Sequence, residues 1–371
     1  MAIDIRAVDS EKDWELFFDL PQRVYSDNQY HVPNLIADER AQLDPKVSTF
    51  SPFYRWKSFI AVEGDRAVAR VVVAHAMDQP MELHWGWWET ENNLQANRLL
   101  FQSVFQWVGE KQSEGIVGPH GFTQFDKVGL LTSGFDIRPT ISESYHLPYY
   151  AALMNQLGGV PIQKYHSYDM EVPRSMPPKI SKLYHLLKQR YSWKCVVPKN
   201  KSEVLFFAEK AFELMQQSHA HLPGQHLLAH DIQQYYIRSF LPMIKKQYTA
   251  FVFDGETLIA FGVAVPSYAP FLQRLDSHWK WWSALPFLWH KHFHREADLM
   301  LIGVHPEYLK KGVPAFIFHQ ILQVFMKRGI TTVHSNPELA SNNHIRQLWK
   351  DYHPSLTQER MLYRLRASKS I

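Results

Sequence analysis

The 371-residue chain lacks the features that mark secreted and membrane-spanning proteins. Its one cysteine, Cys195, excludes an internal disulfide and fits a reducing compartment. The most apolar run, residues 279–289, is broken by Pro286 and falls short of the roughly 20 residues that a membrane-spanning helix needs. The N-terminus carries acidic residues and no apolar signal-peptide core. We therefore expect a cytoplasmic protein without a transmembrane segment.

An excess of charge is also missing, because 40 lysines and arginines stand against 36 aspartates and glutamates, a formal balance of +4. The chain has no arginine-rich run and no nucleic-acid-binding motif, so we expect no nucleic-acid partner. Hydrophobic residues make up 46% of the chain, which is enough for one large core or two of ordinary size. Two domains are the expected arrangement at this length.

What the chain does have is a pattern of elements that occurs twice. Each half is predicted to run strand, helix, hairpin, strand, helix, short strand, helix and strand, with hairpin turns at residues 63–65 and 254–255. A proline-rich stretch, 173–178, separates the two copies. The predicted parts are an N-terminal domain at 1–172, a linker helix at 173–190, and a C-terminal domain at 191–371 with a tryptophan-rich insertion at about 267–296.

Some element boundaries follow from single residues. Pro21 is expected to end the first helix, because proline cannot continue a helical hydrogen-bond pattern. The segment 30–52 is expected to be irregular. The pair Ser202 and Glu203 is expected to begin a long amphipathic helix in the second half.

The most informative stretch is a strand, a glycine turn and a helix in the C-terminal half. Residues 298–305 are apolar on both faces, which predicts a strand buried on both sides of a sheet. A polar loop with Lys310, Lys311 and Gly312 follows, and apolar residues then recur at helical spacing up to Gly329. Amides at such a turn point outward unpaired, and the helix dipole adds positive potential. The pattern predicts a seat for a phosphate.

This stretch resembles the cofactor half of the GNAT acyltransferase superfamily. The motif V-x-P-x-x-x-K-K-G-V begins at Val304 and is followed by an amphipathic helix, the strand G-I-T-T-V and the sequence N-N-x-x-x-x-L-W. In the six-residue GNAT phosphate signature, here 309–314, Gly312 is the matching position. A wider set of residues resembles a little-characterised bacterial family of GNAT-like proteins: Tyr30, Val32, Pro33, Gly118, Pro119, Phe122, Asp126, Gly129, Leu130, Leu131, Gly134, Phe135, Asp136, Pro139, Pro148, Tyr149, Tyr150, Val304, Pro306, Glu307, Tyr308, Gly312, Glu338 and Asn342.

The resemblance implies an α/β fold with a mixed sheet and two GNAT-like domains in tandem. It also implies that acetyl-CoA or another acyl-CoA is the cosubstrate and that the acyl group passes to an amine on a small molecule or peptide. The implied cofactor-binding residues are Val304, Lys310, Lys311, Gly312, Val313, Ala315, Asn342 and Trp349.

The two halves differ at the position of the phosphate turn. The N-terminal junction has two acids, Glu89 and Glu91, and no glycine beside them, and carboxylates would repel a pyrophosphate. We therefore predict that the C-terminal half binds acyl-CoA and that the N-terminal half is a degenerate copy. Pro314 fits the first helical turn but lacks the N–H that the GNAT signature supplies there.

The catalytic pattern departs from that of the superfamily. Trp349 stands where N-x-x-A-x-x-hydrophobic-Tyr has its tyrosine, and an indole is no acid near neutral pH. The candidates left are Tyr352, Tyr308 or solvent for the acid, and Glu338, Glu307 or His305 for the base. Of these we predict Glu338, Tyr352 and His305 as catalytic.

Two further features carry open alternatives. His290, His292 and His294 would share one face if extended, as in a zinc site, but no fourth ligand at recognisable spacing accompanies them, so we predict no metal. The tryptophan-rich insertion is interpreted as a helical cover over a core or a substrate entrance. Its mixture of aromatic and basic residues also suits a peripheral membrane or partner surface.

The leading functional hypothesis is an acyl-CoA-dependent N-acyltransferase that transfers an acetyl group from the C-terminal half. One alternative is a non-catalytic GNAT-fold protein for ligand binding or assembly. Another is a membrane-peripheral transferase of the aminoacyl or lipid type.

Overall fold

The computed structural model describes residues 2–109, 115–219, 228–275, 277–342, 352 and 354–367. The α-helices are α1 Glu11–Val24, α2 Ile36–Leu43, α3 Leu94–Val108, α4 Tyr149–Gln156, α5 Pro178–Arg190, α6 Lys201–His219, α7 His230–Phe240, α8 Ala269–Leu272, α9 Ala284–His292 and α10 Pro314–Arg328. The strands are β1 Ile3–Ala7, β2 Tyr54–Glu63, β3 Arg66–Ala76, β4 His84–Thr90, β5 Ile116–Gly118, β6 Leu130–Ser133, β7 Val160–Glu171, β8 Lys194–Val196, β9 Thr249–Asp254, β10 Thr257–Pro266, β11 Glu296–Val304, β12 Thr332–His334, β13 Glu338–Leu339 and β14 Ser355–Leu365.

In the described residues these strands form one mixed sheet, in which the two halves exchange their last strands. The order is β1-β2-β3-β4-β5-β14-β7-β12-β11-β10-β9-β8. β14, the last strand of the chain, pairs with β5, and β7, the last strand before the proline-rich stretch, pairs with β12. The two exchanged strands also pair with each other. The predicted α/β class with a mixed sheet is confirmed, and the domain boundary at residue 172 stays a prediction.

A long hairpin forms the centre of each half. β2 and β3 turn at Gly64 with φ +67°, and β9 and β10 turn at Gly255 with φ +61°. Glycine adopts this left-handed backbone at low cost because it has no Cβ atom. β3 and β10 are buried along nearly their whole length, since elements cover both faces of the sheet. This explains their dense valine and alanine content.

The packing divides into three cores, one of which belongs to both halves. In the shared core, Phe17, Phe50 and Phe122 of the first half lie in one cluster with Tyr236 and Phe261 of the second. A second core lies under α3 and α4, and a third under α5 and α10. The shared core therefore fills the space between the halves on one face of the sheet.

Three local predictions are wrong. α1 continues through Pro21 to Val24, and the Phe17 carbonyl, which Pro21 cannot bond, accepts a hydrogen bond from Arg70 Nη1 at 3.0 Å. The segment expected to be irregular contains α2. The start of α6 is capped by Asn200, whose Oδ1 accepts from the Glu203 amide at 2.9 Å.

In the part of the chain that the structure describes, no helix has both the length and the apolar composition needed to cross a bilayer.

Candidate functional site

Two parallel strands diverge in the middle of the C-terminal half and leave a gap in the sheet. β11 and β12 pair from Glu296 to Asp298, whereas β11 runs on to Val304 with β10 on its other side. The Asn336 side chain closes the start of the gap by donating from Nδ2 to the Met300 carbonyl at 2.9 Å. Beyond Met300, one edge of β11 can pair with an extended ligand. We call this space the C-terminal gap.

The predicted phosphate turn lies at the open end of this gap. After β11, residues Pro306–Lys311 form a 3₁₀ turn, and Gly312 follows with φ +80° in the left-handed region. The amides of Gly312 and Val313 donate to no carbonyl among the described residues, and no side chain caps α10. Within α10 itself, Pro314 has no N–H, and the amides of Ala315 and Phe316 donate to the carbonyls of Gly312 and Val313, each at 3.0 Å. The amides of Gly312 and Val313 are therefore the groups of this turn that could bind an anion.

The side chains around the turn complete an electropositive rim. Lys310 and Lys311 are exposed and form no ion pair with any described residue. Lys311 Nζ lies 4.1 Å from the centre of the Tyr308 ring. Val313 and Ala315 are buried in the core under α10 and fix the start of the helix. The turn is thus anchored by apolar residues and presents amides and ammonium groups outward.

The corresponding gap in the N-terminal half is closed by its own side chains. β4 and β5 pair at His84 and then separate, but the Tyr150 hydroxyl accepts from the Thr90 amide at 3.0 Å. The Tyr149 hydroxyl donates to the Thr90 carbonyl at 2.6 Å. These two tyrosines of α4 occupy the backbone groups that an extended ligand would need. We call this space the N-terminal gap.

The helix start beside the N-terminal gap is satisfied as well. Asn93 caps α3 by accepting from the Ala96 amide at 3.0 Å. Glu91 pairs with Arg23 at 2.8 Å and with Arg66 at 2.9 Å. This junction therefore carries acidic groups with partners and a capped helix, where the C-terminal gap has lysines and uncapped amides.

The Glu89 side chain of β4 is half-buried behind the same tyrosines. Its Oε2 accepts from Tyr25 at 2.6 Å and from Tyr150 at 2.8 Å. Burial raises the pKa of Glu89, although the two tyrosine hydrogen bonds act in the opposite direction. The carboxyl thus belongs to a closed polar cluster with no route for a ligand along β4.

A row of polar side chains crosses the sheet at the closed end of the C-terminal gap. Asp298 of β11 lies opposite His334 of β12, which lies opposite Asp169 of β7. His334 donates from Nδ1 to Asp169 Oδ1 at 2.7 Å, and its Nε2 lies 3.6 Å from Glu296 Oε2. Arg138 pairs with Glu296 at 3.1 Å. The row is partly open to solvent here, because about a third of the Asp169, Glu296 and Arg138 side chains is exposed.

The row continues across the exchanged strands. Arg360 of β14 is fully buried and donates from Nη1 to Glu143 Oε1 at 2.7 Å. The Ser167 hydroxyl of β7 donates to the same carboxylate oxygen. Arg360 also donates from Nη2 to Gln358 Oε1 at 2.8 Å. A buried charge pair of this kind is stable when its remaining hydrogen bonds are made, as they are here.

Asp298 differs from the other carboxylates in the row because its oxygens have no partner. Its side chain is 1% exposed, and neither carboxylate oxygen makes a hydrogen bond to a described residue. The Ser267 hydroxyl lies close enough to influence it but outside hydrogen-bond geometry. Burial raises the pKa of Asp298 to about 7, against the lowering effect of the charge on His334. A carboxyl of this pKa can accept a proton near neutral pH.

The surroundings of His334 favour its charged form, whereas those of Asp298 favour the neutral form. Burial acts to lower the pKa of His334, but the hydrogen bonds that it makes to Asp169 and Glu296 outweigh burial and raise that pKa to about 10. The imidazolium is therefore charged at neutral pH and cannot serve as a base. The charged ring can stabilise negative charge that develops beside it.

The three residues predicted as catalytic lie apart from this row. His305 follows β11 at the phosphate turn, where its Nδ1 accepts from the Glu307 amide at 3.3 Å. Tyr352 packs with its ring 6.1 Å from that of Phe318 on α10. Glu338 lies on β13 beside His166 of β7. Their roles stay predictions.

The other candidates lie at separate positions in the C-terminal half. Tyr308, considered as an acid, donates to Asp254 Oδ2 at 2.9 Å. Val304 ends β11 opposite Ala260. The Asn342 amide donates to the Leu339 carbonyl at 2.8 Å, and Trp349 lies outside the described residues.

The histidines of the insertion are not arranged as an extended metal-binding motif. His290 and His292 lie in α9, and His292 Nδ1 donates to the Leu288 carbonyl at 2.9 Å. His294 Nε2 lies 2.8 Å from the Tyr248 hydroxyl. Each ring is thus engaged separately, which overturns the extended geometry considered above.

Sequence reasoning missed Asp298 and His334. Asp298 is the first residue of the stretch that the sequence predicts as an apolar strand, and a polar residue at a strand end is usually solvated. The available signal was its position inside a strand that is otherwise apolar on both faces, since such a residue has to be buried.

No protein-family model matches this chain. Among curated proteins, it is 22% identical to protein YghO of Escherichia coli (strain K12) over 200 residues, which cover 52% of this chain and 50% of that protein. It is 24% identical to a bacterial ceramide synthase of Caulobacter vibrioides over 167 residues, which cover 43% of this chain and 44% of that protein. The chain thus spans about half the length of these relatives or less.

The solved structures identify the fold. A tandem GNAT protein from the clavulanic acid biosynthesis pathway superposes with a TM-score of 0.58 at 11% identity, and the match covers 100% of both chains. The chain therefore has the tandem GNAT fold that its sequence predicted. At this identity the likeness shows the fold alone.

Proposed function

We propose that the protein is an acyl-CoA-dependent N-acyltransferase that works from the C-terminal gap. The observation that carries the proposal is an uncapped phosphate turn at one end of β11 and a buried carboxyl with a pKa of about 7 at the other. From Val304 back to Asp298 is six residues of strand, about 20 Å. The pantetheine arm of coenzyme A can run extended over this length, and its two amides can pair with the exposed edge of β11.

In this proposal the pyrophosphate of acyl-CoA binds at the Gly312 turn, and the thioester lies beside Asp298. The amine nitrogen attacks the thioester carbonyl, so that a C–N bond forms and the C–S bond breaks. Asp298 takes the proton that the amine loses, and the coenzyme A thiolate leaves and is protonated by solvent or a nearby acid. A thiol titrates near 8.5, so its thiolate is a fair leaving group at neutral pH.

The acceptor that we propose is an amine on a long apolar chain. One relative carries the name ceramide synthase, and ceramides are amides of a fatty acid with a long-chain amino alcohol. Apolar side chains of the shared core, among them Phe261 and Met300, lie on the strands beside the polar row. A long apolar chain that enters the C-terminal gap would contact such groups rather than charged ones.

Thiol release from acyl-CoA tests the proposal. The full chain is incubated with acetyl-CoA or palmitoyl-CoA and either sphinganine or the water-soluble amine glucosamine, and the amide is identified by mass spectrometry. We expect amine-dependent release of thiol and an amide product, with the larger rate for sphinganine. Amide formation with glucosamine alone would keep the enzyme class and reject the acceptor. Binding of acyl-CoA without thiol release for any amine would reject the enzyme.

A second candidate is a GNAT-fold protein that binds acyl-CoA without catalysis. Two residues favour it: Pro314 removes an amide from the start of α10, and Trp349 replaces the usual tyrosine. This candidate predicts stabilisation by acyl-CoA in a thermal shift assay together with no thiol release.

A further inference from the structure

The insertion between β10 and β11 exposes an unusual number of large apolar side chains. α9 has no buried residue, and Phe287 holds it to the protein by packing against Tyr268 and Phe271. The exposed residues, here called the aromatic patch, are Trp279, Trp281, Trp282, Leu285, Leu288, Trp289 and Phe293, with exposed fractions from 45% for Trp279 to 83% for Trp281. A contiguous apolar surface of this kind usually marks an interaction site.

Within the segment that carries the aromatic patch, residues 277–295, the charged residues have one sign. From residue 277 to 295 the sequence contains Lys280, Lys291 and Arg295 and no aspartate or glutamate. Lys280 Nζ lies 5.4 Å from the ring centre of Trp282, within the patch itself. Lysine beside tryptophan is the composition of protein segments that lie at the boundary between lipid and water.

A second group of cations borders α9. Burial, and then the charges of Arg328 and Lys291, lower the pKa of Lys245 to about 8. None of these three side chains forms an ion pair with a carboxylate in the described chain. Cations that repel one another and lack counter-charges gain from a multiply anionic surface.

We propose that the aromatic patch docks on the surface of a lipid bilayer that contains anionic headgroups. The tryptophans, leucines and Phe293 enter the interfacial region, and Lys280, Lys291 and Lys245 contact lipid phosphates. A second copy of this chain is a poorer partner, because a twofold contact through the patch would bring three cations against three cations.

The docking surface is joined directly to the polar row. His290 Nε2 donates to the Ser267 carbonyl at 2.7 Å, and the Ser267 amide donates to the Glu296 carbonyl at 3.0 Å. Glu296 and Asp298 begin β11, so α9 is attached where the polar row opens to solvent. Docking would turn this opening toward the bilayer. That consequence rests on the proposed function, whereas docking itself does not.

Vesicle flotation of the full chain tests docking without any substrate. Phosphatidylcholine vesicles are compared with vesicles that also contain phosphatidylglycerol. We expect binding to the mixed vesicles and much weaker binding to phosphatidylcholine alone. The variant Trp281→Ser/Trp289→Ser/Phe293→Ser should weaken binding at least tenfold by our estimate, because it removes the inserting groups.

A charge variant separates the two contributions. Lys280→Glu/Lys291→Glu should weaken binding to mixed vesicles by roughly fivefold or more for each lysine and should leave phosphatidylcholine binding unchanged. The matched control is Phe206→Ser/Lys12→Glu, which alters an exposed aromatic residue and an exposed lysine on α6 and α1 and should bind as the parent does. Melting temperatures check that each variant folds.

Two results would overturn the proposal. One is vesicle binding that both patch variants leave intact. The other is no binding of the parent chain to the mixed vesicles. A dimer in light scattering that Trp281→Ser/Trp289→Ser/Phe293→Ser dissociates would in that case identify the patch as a contact between copies. Because flotation uses no acyl-CoA, an inactive acyltransferase would leave the docking result unaffected.

Discussion

The two gaps occupy the same place in the duplicated fold but differ in what satisfies their backbone. In the N-terminal gap, hydroxyls from Tyr149 and Tyr150 bond both polar groups of Thr90, and Asn93 caps the following helix. In the C-terminal gap, the amides of Gly312 and Val313 donate to no backbone carbonyl among the described residues. Polar backbone groups near a core must be bonded somewhere, so these two amides are where a ligand could supply the partner.

The carboxyl groups of Glu89 and Asp298, one beside each gap, extend the comparison. Glu89 receives hydrogen bonds from two tyrosines, whereas both oxygens of Asp298 lack partners in the described structure. A bonded carboxyl stabilises the fold, while an unbonded one costs stability and is retained where its chemistry is used. The side chains of the N-terminal gap therefore satisfy one another, whereas Asp298 in the C-terminal half stays unbonded among the described residues and is the group that we propose as the base.

The largest expected effect comes from Asp298→Asn. Removal of the base should lower the rate of acyl transfer by about 10²–10⁴-fold, with acyl-CoA binding unchanged. The rate of the parent should rise with pH through about 7, where Asp298 ionises. The rate of the variant should not show this rise. Thiol release across pH measures both. The matched variant Glu89→Gln should keep the rate, and equal losses in the two variants would contradict the comparison.

The phosphate turn gives the next largest effect. Lys310→Glu/Lys311→Glu should abolish thermal stabilisation by acetyl-CoA, since charge-assisted contacts to phosphate contribute about 1.5–3 kcal/mol each. Folding should survive because both side chains are exposed. The control is Lys194→Glu/Lys201→Glu, which makes the same charge change on exposed lysines elsewhere. An unchanged affinity in the first variant would move the cofactor site away from the turn.

Asp298→Asn should also change stability with pH. The folded-state pKa of Asp298, about 7, lies above its ordinary value of 3.8, so its stabilising contribution is full below pH 3.8 and is lost as the pH rises through 7. At pH 8 the unfolding free energy of the variant should therefore exceed that of the parent by an amount on the order of a few kcal/mol. Near pH 4 the two unfolding free energies should differ little. Calorimetry at both pH values measures this. A variant that melts lower at pH 8 would show that the carboxylate stabilises the fold.

The number of acyl-CoA molecules bound per chain tests directly whether the N-terminal gap is a binding site. Calorimetric titration should give one site per chain, because Glu91 is paired and α3 is capped. Tyr149→Phe/Tyr150→Phe frees the Thr90 backbone and should lower the unfolding free energy by about 1–3 kcal/mol, yet add no second site. Two equivalent sites in the parent chain would refute the degeneracy of the first half.

The smallest effect concerns the acid. Trp349→Tyr should hold or modestly raise turnover, and Tyr352→Phe should lower it only modestly, because a coenzyme A thiolate needs little help to leave near neutral pH. Thiol release with sphinganine and with glucosamine measures both variants. Elimination of activity in Tyr352→Phe would instead identify Tyr352 as the acid.

The sequence by itself determined the features that depend on neighbouring residues. The hairpin turns at Gly64 and Gly255 and the left-handed Gly312 follow from local backbone preferences, and the amphipathic pattern predicted α10. With the resemblance at residues 304–313, these signals led to the tandem fold. The residues proposed to bind phosphate belong to this group because they are consecutive along the chain.

Only the tertiary structure decided the rest, since it depends on contacts between residues far apart in sequence. His334 and Asp169 are 165 positions apart and meet because the halves exchange β7 and β14. Tyr150 reaches Thr90 across 60 positions and closes the N-terminal gap. The pKa of Asp298 rises because the folded chain buries it. No local pattern encodes burial or pairing at this range, and the proposed base therefore emerged only from the fold.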